Sequence, residues 1–218
     1  MNEQFQQNVA DAYSKLIGPV DINHPYAVSF NGSQKPFEFF KAWEIISEKL
    51  ENVGNPTFLE IGAFKGLWAI AFFEWCKLNN KKGVYVTITW MEHNPDNNHL
   101  LNVIDNYKKE GFECLLIDDN SQLEETKYKI HCFKPESFEI ITFDVVLVDA
   151  DHRYEGSKKD IELYQPLAKT LVFHDIRPES ANQNCGVYQA IKDSGLLPLD
   201  HEIACAPDMM GIGIKFYE

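Results

Sequence analysis

The chain has 218 residues and a formal net charge of −13, which suits one globular domain and leaves little sequence for a second. This large negative charge disfavours binding to nucleic-acid phosphates or to anionic lipid. We therefore expect neither a nucleic-acid nor a membrane partner. The five cysteines form no C-x-x-C pair, and no apolar leader or run of about 18 apolar residues is present, which together predict reduced thiols and a cytoplasmic location.

The predicted elements alternate between helices and apolar strands. Amphipathic helices at residues 3–16 and 36–51 come first, and we expect residues 1–52 to form a helical or lid segment of a single domain whose core spans 53–218. Short apolar runs then predict five strands, at 57–61, 84–91, 112–117, 143–149 and 170–174, with helical segments between them. Repeated strand and helix units predict a doubly wound, mostly parallel α/β sheet.

The C-terminal part of the chain has a different pattern. The runs HEIACA and GIGIKFY are short and strand-like, and they are close enough in sequence to pair with each other. We therefore expect an antiparallel hairpin at the edge of a seven-stranded, Rossmann-like sheet.

Polar or acidic groups end all five predicted strands. Helix caps could account for any one of these groups, but they account less well for five together. In a parallel sheet these strand ends share one edge, where ligands bind. The groups are Glu60; Glu92; the cluster from Asp118 to Ser121; Asp149 with Asp151 and His152; and His174 with Asp175.

The segment EIGAFKG follows the first predicted strand and opens a helix. Gly62 permits a tight turn, and Gly66 lets the helix pack close to the strand. The segment lacks both G-x-G-x-x-G and the Lys-Ser/Thr ending of a phosphate loop, which disfavours a diphosphate ligand. The acid Glu60 instead suits the cationic end of a ligand.

These motifs carry a family resemblance. EIGAFKG, Glu92, the DNS of 119–121, and VDADHRYEG followed by FHDI resemble class I S-adenosylmethionine-dependent methyltransferases over about residues 36–218. VDADHRYEGSKKDIELYQPL and QKPFEFFKAWEII are similar, more narrowly, to the branch of macrolide-sugar O-methyltransferases and cephalosporin hydroxylase-like proteins. The resemblance implies methyl transfer from S-adenosylmethionine to a hydroxyl of a small molecule, such as a sugar or secondary metabolite.

The resemblance also implies roles for individual residues. Glu60, Gly62 and Gly66 would surround the methionine part of the cofactor, and Glu92 would bind its ribose. Asn120 and Ser121 would bind the adenine, and Asp149 would also contact the cofactor. His152 would act as the catalytic base together with Asp149, although a helix-start role is the alternative for this histidine.

The resemblance also bears on a divalent cation. In metal-dependent relatives the ligand positions map to Asp149, His174 and Asp175, and His174 departs from the oxygen ligands that Mg²⁺ prefers. Mg²⁺, manganese, iron and no metal at all therefore stay open.

Two other functions remain compatible with the sequence. One is a protein that binds S-adenosylmethionine without transferring methyl, and the other is a nicotinamide- or nucleotide-dependent enzyme on a similar sheet. The irregular segments 22–35 and 177–186 are expected to border the acceptor pocket. Neither the acceptor nor the oligomeric state, a homo-oligomer included, follows from the sequence.

Overall fold

A seven-stranded sheet organises the protein, for which the computed structural model describes residues 2–20, 22, 30, 35–94, 97–133, 135, 142–177, 185–204 and 210–217. Its strands are Thr57–Ile61 (β1), Val84–Ile88 (β2), Glu113–Ile117 (β3), Val145–Val148 (β4), Thr170–His174 (β5), His201–Ile203 (β6) and Ile212–Phe216 (β7). The spatial order is β3-β2-β1-β4-β5-β7-β6, in which the first five strands are parallel and β7 is antiparallel to both of its neighbours. The predicted sheet and its antiparallel edge hairpin are confirmed.

Seven α-helices accompany the sheet in the described part of the chain. They are Glu3–Leu16 (α1), Pro36–Leu50 (α2), Leu67–Leu78 (α3), Asn97–Lys109 (α4), Glu124–Cys132 (α5), Tyr154–Tyr164 (α6) and Val187–Asp193 (α7). The side chain of Asn2 caps α1 by accepting the backbone N–H of Gln4 at 2.8 Å. Pro36 opens α2 because the first turn of a helix needs no N–H from that position.

Several element boundaries differ from the sequence prediction, which also placed a helix at about 121–130 after the third strand, and two of the differences have a visible cause. The strand expected over 84–91 ends at Ile88, and Met91–His93 form a short 3₁₀ turn after it. The backbone N–H of Met91 donates to the Asp118 carboxylate at 2.9 Å, which turns the chain away from the sheet. The helix expected from 121 begins at Glu124, because the Asn120 side chain accepts the N–H of Gln122 at 3.0 Å and forms a turn first.

Aromatic side chains fill the face of the sheet that the N-terminal helices cover. Trp43 of α2 stacks on Phe58 of β1 with ring centroids 5.8 Å apart, and Phe72 and Phe73 of α3 are fully buried beside them. The opposite face is covered by α6 and α7, through residues such as Ile161. The sheet is therefore buried on both faces, as its uninterrupted apolar strands require.

Several sequence predictions concern residues outside the described ranges. Most of the two segments expected to border the acceptor pocket, 22–35 and 177–186, fall there, as do Cys205 and most of the PDMM turn. None of the helices formed by the described residues is long and apolar enough to cross a membrane.

Asp160 is a fully buried acid on α6. Burial raises the pKa of its carboxyl group to about 7. The nearby Ser121 hydroxyl offsets this rise only in part, because it forms no regular hydrogen bond with the carboxylate. The native state therefore holds a proton that the unfolded chain, with an Asp pKa of about 3.9, releases. Stability from this group is present at low pH and is lost as pH rises through about 7.

We expect Asp160→Asn to raise the free energy of unfolding at pH 8 by roughly 2 kcal/mol, and by much less at pH 5, since the neutral amide carries no charge to bury. Urea denaturation at the two pH values measures the difference. Asp105→Asn, at an exposed position on α4, is the control. An equal effect of Asp160→Asn at both pH values would show that its titration does not contribute.

Candidate functional site

A cavity of about 760 Å³ opens at the carboxyl ends of the parallel strands. Residues that follow each of the first five strands line it, which is where ligands bind in open α/β sheets. Its walls include Gly62, Phe64, Trp90, His93, Asn120, Ser121, Asp149, His152, His174, Asp175, Cys185 and Met210. The volume lies within the range of small-molecule sites.

The turn after β1 requires glycine at two positions. Gly62 has a φ of +91°, and a Cβ atom on it would lie 2.4 Å from the backbone oxygen of Asp149. Gly66 has a φ of +89° and precedes α3, where a Cβ would press on Leu100. Only glycine combines these backbone angles with so close an approach. Of the two, Gly62 lines the cavity.

Glu60 lies beneath this turn rather than in the main cavity. It lines a small neighbouring cavity of about 30 Å³ together with Gly62 and Asp149, and it accepts a hydrogen bond from the Tyr85 hydroxyl. Burial, helped by the nearby charge of Asp149, raises the pKa of Glu60 to about 8 even though the Tyr85 hydrogen bond opposes the shift. A cationic group entering beside Glu60 would favour its charged form.

Glu92 is the predicted site residue that the structure keeps apart from the others. It lies in the 3₁₀ turn after β2, is exposed, and is not among the residues that line the cavity. The same turn instead brings Trp90 and His93 to the cavity, with their ring centroids 4.2 Å apart. The assignment of Glu92 to the ribose stays a prediction.

The turn after β3 presents both of its predicted residues to the cavity. Asn120 is fixed by accepting the N–H of Gln122, and the backbone oxygen of Ser121 accepts the Tyr164 hydroxyl at 2.6 Å. Gln122 extends this turn toward the β4 loop by donating to Asp151 at 3.2 Å. The ends of β3 and β4 are therefore connected through side chains.

Two aspartates and two histidines form a charged cluster at the ends of β4 and β5. Asp149 Oδ1 lies 3.2 Å from His152 Nε2 and 3.0 Å from His174 Nδ1. Asp175 contacts the same two rings, with 2.7 Å to His152 Nδ1 and 3.3 Å to His174 Nδ1. Four candidate site residues predicted from the sequence thus share one charged cluster.

Contacts within the cluster favour the charged forms of Asp149, His152 and His174. Hydrogen bonds to Asp149 and Asp175 raise the pKa of His152 to about 11. Burial lowers the pKa of His174, but the two carboxylates outweigh that effect and bring it to about 9. Burial likewise opposes ionisation of Asp149, yet the charge of His174 and both imidazole contacts lower its pKa to about 2.

The three predicted metal ligands do not fit a divalent cation in this arrangement. Nδ1 of His174 lies 3.0 Å from Asp149 Oδ1 and 3.3 Å from Asp175 Oδ1, so that these atoms are paired with one another in the free protein. No group of three or more His, Cys, Asp or Glu side chains that could hold a metal ion occurs among the residues with described positions.

Glu38 of α2 is a residue near the site that the sequence analysis missed. It is 1% exposed and accepts the N–H of Gly211 at 2.9 Å. It is also close enough to His174 and Asp175 for their charges to affect its pKa. Burial is the main reason that its pKa is raised. An acid inside the apolar segment PFEFF, at the start of a helix that packs on the sheet, was the available signal.

The chain matches the model of a methyltransferase-domain family over residues 59–176, which is more than half of its length. The protein therefore belongs to this family, and the predicted class I methyltransferase identity is confirmed. The match runs from β1 to just beyond β5, so it contains the glycine turn and the charged cluster. No curated protein matches the chain.

Solved structures of methyltransferases share the fold. CalS11, a TDP-rhamnose 3′-O-methyltransferase of calicheamicin biosynthesis, is 13% identical with a TM-score of 0.60, covering 98% of this chain and 93% of that one. The methyltransferase PaMTH1 of Podospora anserina, bound to S-adenosylhomocysteine, is 16% identical with a TM-score of 0.51, covering 100% and 97%. The METTL16 methyltransferase domain is 11% identical with a TM-score of 0.54, covering 98% and 80%. At these identities the likeness concerns the fold alone.

We expect Glu38→Ala to lower the free energy of unfolding by about 1–3 kcal/mol, because it leaves the buried N–H of Gly211 without an acceptor. Glu38→Gln keeps an acceptor of the same shape and should lose clearly less. Urea denaturation of both variants measures the difference, with Glu48→Ala at an exposed position of α2 as the control. Equal losses for alanine and glutamine would contradict the hydrogen-bond explanation.

Proposed function

We propose that the protein transfers the methyl group of S-adenosylmethionine to a hydroxyl group of a small molecule, such as a sugar or secondary metabolite. One observation carries this proposal: the glycine turn after β1 and the charged cluster after β4 and β5 border the same cavity. Family membership supports S-adenosylmethionine as the methyl donor. A sugar hydroxyl is the acceptor named for CalS11, which has the same fold.

The residues of the cavity fit the parts of this cofactor. The turn at Gly62 would lie against the methionine part with Glu60 beneath it, and Asn120 and Ser121 would bind the adenine. The carboxylate of Asp149 borders both the main and the small cavity and would attract a positively charged sulfonium. Glu92 remains the proposed ribose ligand, with its exposed position as the point to test.

The reaction needs orientation and one proton acceptor. S-adenosylmethionine, when bound, supplies an electrophilic methyl group on sulfur. The cavity walls would hold the acceptor hydroxyl in line with the C–S bond, so that an O–C bond forms as that bond breaks and S-adenosylhomocysteine leaves. The hydroxyl proton would pass to His152, which is 36% exposed in its side chain and borders the cavity.

His152 has one requirement for this role. Both of its ring nitrogens contact carboxylates, which favours the protonated ring. It can therefore accept a proton from the substrate only after one of these contacts opens and the ring gives up the proton that it shares with Asp149 or Asp175. If the contact with Asp175 opens, Asp149 would keep the ring oriented through Nε2. If the contact with Asp149 opens, the ring would be released from Asp149.

Assistance by a divalent cation is a separate hypothesis. The ligands would be Asp149, His174 and Asp175, which would first have to give up their contacts with one another. Methyl transfer assayed in EDTA, and then with Mg²⁺, Mn²⁺ or Fe²⁺ restored, tests the hypothesis. A loss in EDTA that one of these ions reverses would support it, and full activity in EDTA would remove it.

Isothermal titration calorimetry tests the cofactor. We expect S-adenosylhomocysteine to bind at least about a hundredfold more tightly than NAD, because the turn after β1 lacks the dinucleotide pattern and Glu60 disfavours phosphate. The absence of S-adenosylhomocysteine binding, or a preference for NAD, would contradict the proposal. In the same experiment, a tenfold or greater loss in Glu92→Ala would support its ribose role, since a lost hydrogen-bonded pair costs about that much.

We expect His152→Gln to lower kcat by about 10²–10⁴-fold, because removal of a general base typically has that effect, while S-adenosylhomocysteine affinity changes by less than about threefold. Transfer of labelled methyl from S-adenosylmethionine to a panel of hydroxyl compounds measures the rate. An unchanged kcat in the variant would assign the proton to another group.

A further inference from the structure

We propose that the cavity selects acceptors that carry no phosphate or carboxylate group, so that the substrate is an uncharged or cationic hydroxyl compound. The inference rests on the proposed methyl transfer and names the substrate class of that same cavity. It depends on how the charges that line the cavity are paired, which the structure gives residue by residue.

Carboxylates outnumber cations in the cavity walls. Asp119, Asp149, Asp151 and Asp175 line the cavity, and Arg153 is the one Arg or Lys among the described lining residues. Asp119 is itself paired with the Nζ of Lys129 at 2.5 Å. An anionic acceptor would therefore have to take a cation from one of these carboxylates to replace the water that it loses.

Arg153 is already engaged by Asp151. Its Nε and Nη2 donate to the two carboxylate oxygens of Asp151 at 2.9 and 2.7 Å, a two-point pair in which the planar guanidinium is well matched. The Arg153 guanidinium accordingly lowers the pKa of Asp151 to about 2. A phosphate that took Arg153 would leave Asp151 without its main partner.

Asp151 also fills the place where a helix would bind an anion. The first turn of a helix attracts anions through its free N–H groups. At the start of α6, the Asp151 carboxylate accepts the N–H of Arg153 at 3.1 Å and packs on Gly156 so closely that a Cβ there would lie 2.3 Å from it. This helix start is therefore supplied with a negative group from its own chain.

The imidazoles of the cavity are paired as well. His152 and His174 both contact Asp149 and Asp175, so that the ring nitrogens facing the cluster are already engaged by carboxylates. Lys65 borders the small cavity beside Glu60, and its Nζ lies 5.0 Å from the ring centroid of Phe64. Lys65 therefore lies where the methionine part of S-adenosylmethionine is proposed to bind.

Two lysines lie beside lining residues, since Lys129 pairs with Asp119 and Lys65 lies next to Phe64. Segments 178–184 and 205–209, which lead into the lining residues Cys185 and Met210, contain neither Lys nor Arg, and neither do 23–29 and 31–34. The side chains that do offer contacts are the half-exposed rings of Phe64 and Trp90 and the carboxylates. Aromatic faces and hydroxyl acceptors together suit a polyhydroxylated, uncharged molecule. TDP-rhamnose, for which CalS11 is named, belongs to the excluded class because it carries a diphosphate.

Pyrophosphate titration of three proteins tests the charge argument. Wild type, Met210→Lys and Met210→Gln are titrated at constant ionic strength, both free and loaded with S-adenosylhomocysteine. We expect the lysine variant to bind pyrophosphate at least about tenfold more tightly than the other two, because it adds an unpaired cation to the cavity wall. A smaller difference, or binding by wild type as tight as by the lysine variant, would overturn the proposal.

A comparison of two acceptors provides the second test of the proposal. Glucose and glucose 6-phosphate differ only in the phosphate, so their binding to the loaded wild type is compared directly, as is methyl transfer to each. Tighter binding or faster methylation of the phosphate would also overturn the proposal. Failure to bind S-adenosylhomocysteine would instead remove the proposed function, and the titration of the free protein would still report on the charge of the cavity.

Discussion

The close approach of the chain after β1 to the chain after β4 is the constraint on which the site depends. Gly62 donates to Ile88 of β2 at 2.9 Å, Asp149 donates to Ile61 of β1 at 2.9 Å, and no side chain fits between Gly62 and the Asp149 backbone. Three strand ends are thereby connected at one point. The backbone that would contact the cofactor and the carboxylate that anchors the charged cluster therefore move as a unit.

The charged cluster shows how buried carboxylates are tolerated beside that point. Asp149 and Asp175 are mostly withdrawn from water, and each imidazole nitrogen near them offsets part of the cost of burying a charge. Asp175 Oδ1 is nevertheless buried without a hydrogen-bond partner among the described residues. A ligand that engages Asp149 must therefore exchange a partner, whereas one that donates to Asp175 Oδ1 adds a contact.

Local sequence patterns were sufficient to predict the sheet, but they were insufficient to predict parts of the site. The apolar runs located the five parallel strands, and the polar groups at their ends met at one edge because that topology requires it. The end of β2 was misplaced because Trp90 and Met91 continue the apolar run while the distant Asp118 turns the chain. Glu38 was missed for the same reason, since its partner Gly211 is 173 residues away. The family resemblance grouped Asp149, His174 and Asp175 as metal ligands, but it could not give the orientation of their donor atoms.

The position of β7 between β5 and β6 has a consequence for biosynthesis. His174, at the end of β5, pairs with Ile212 of β7, and Glu38 reaches the neighbouring Gly211. While the ribosome is still adding these residues, β5 has an unpaired apolar edge, which is a site for aggregation. The emerging chain therefore carries an incomplete sheet until β7 has been made, and the surroundings of His174 are completed only when the segment around 211–216 is released.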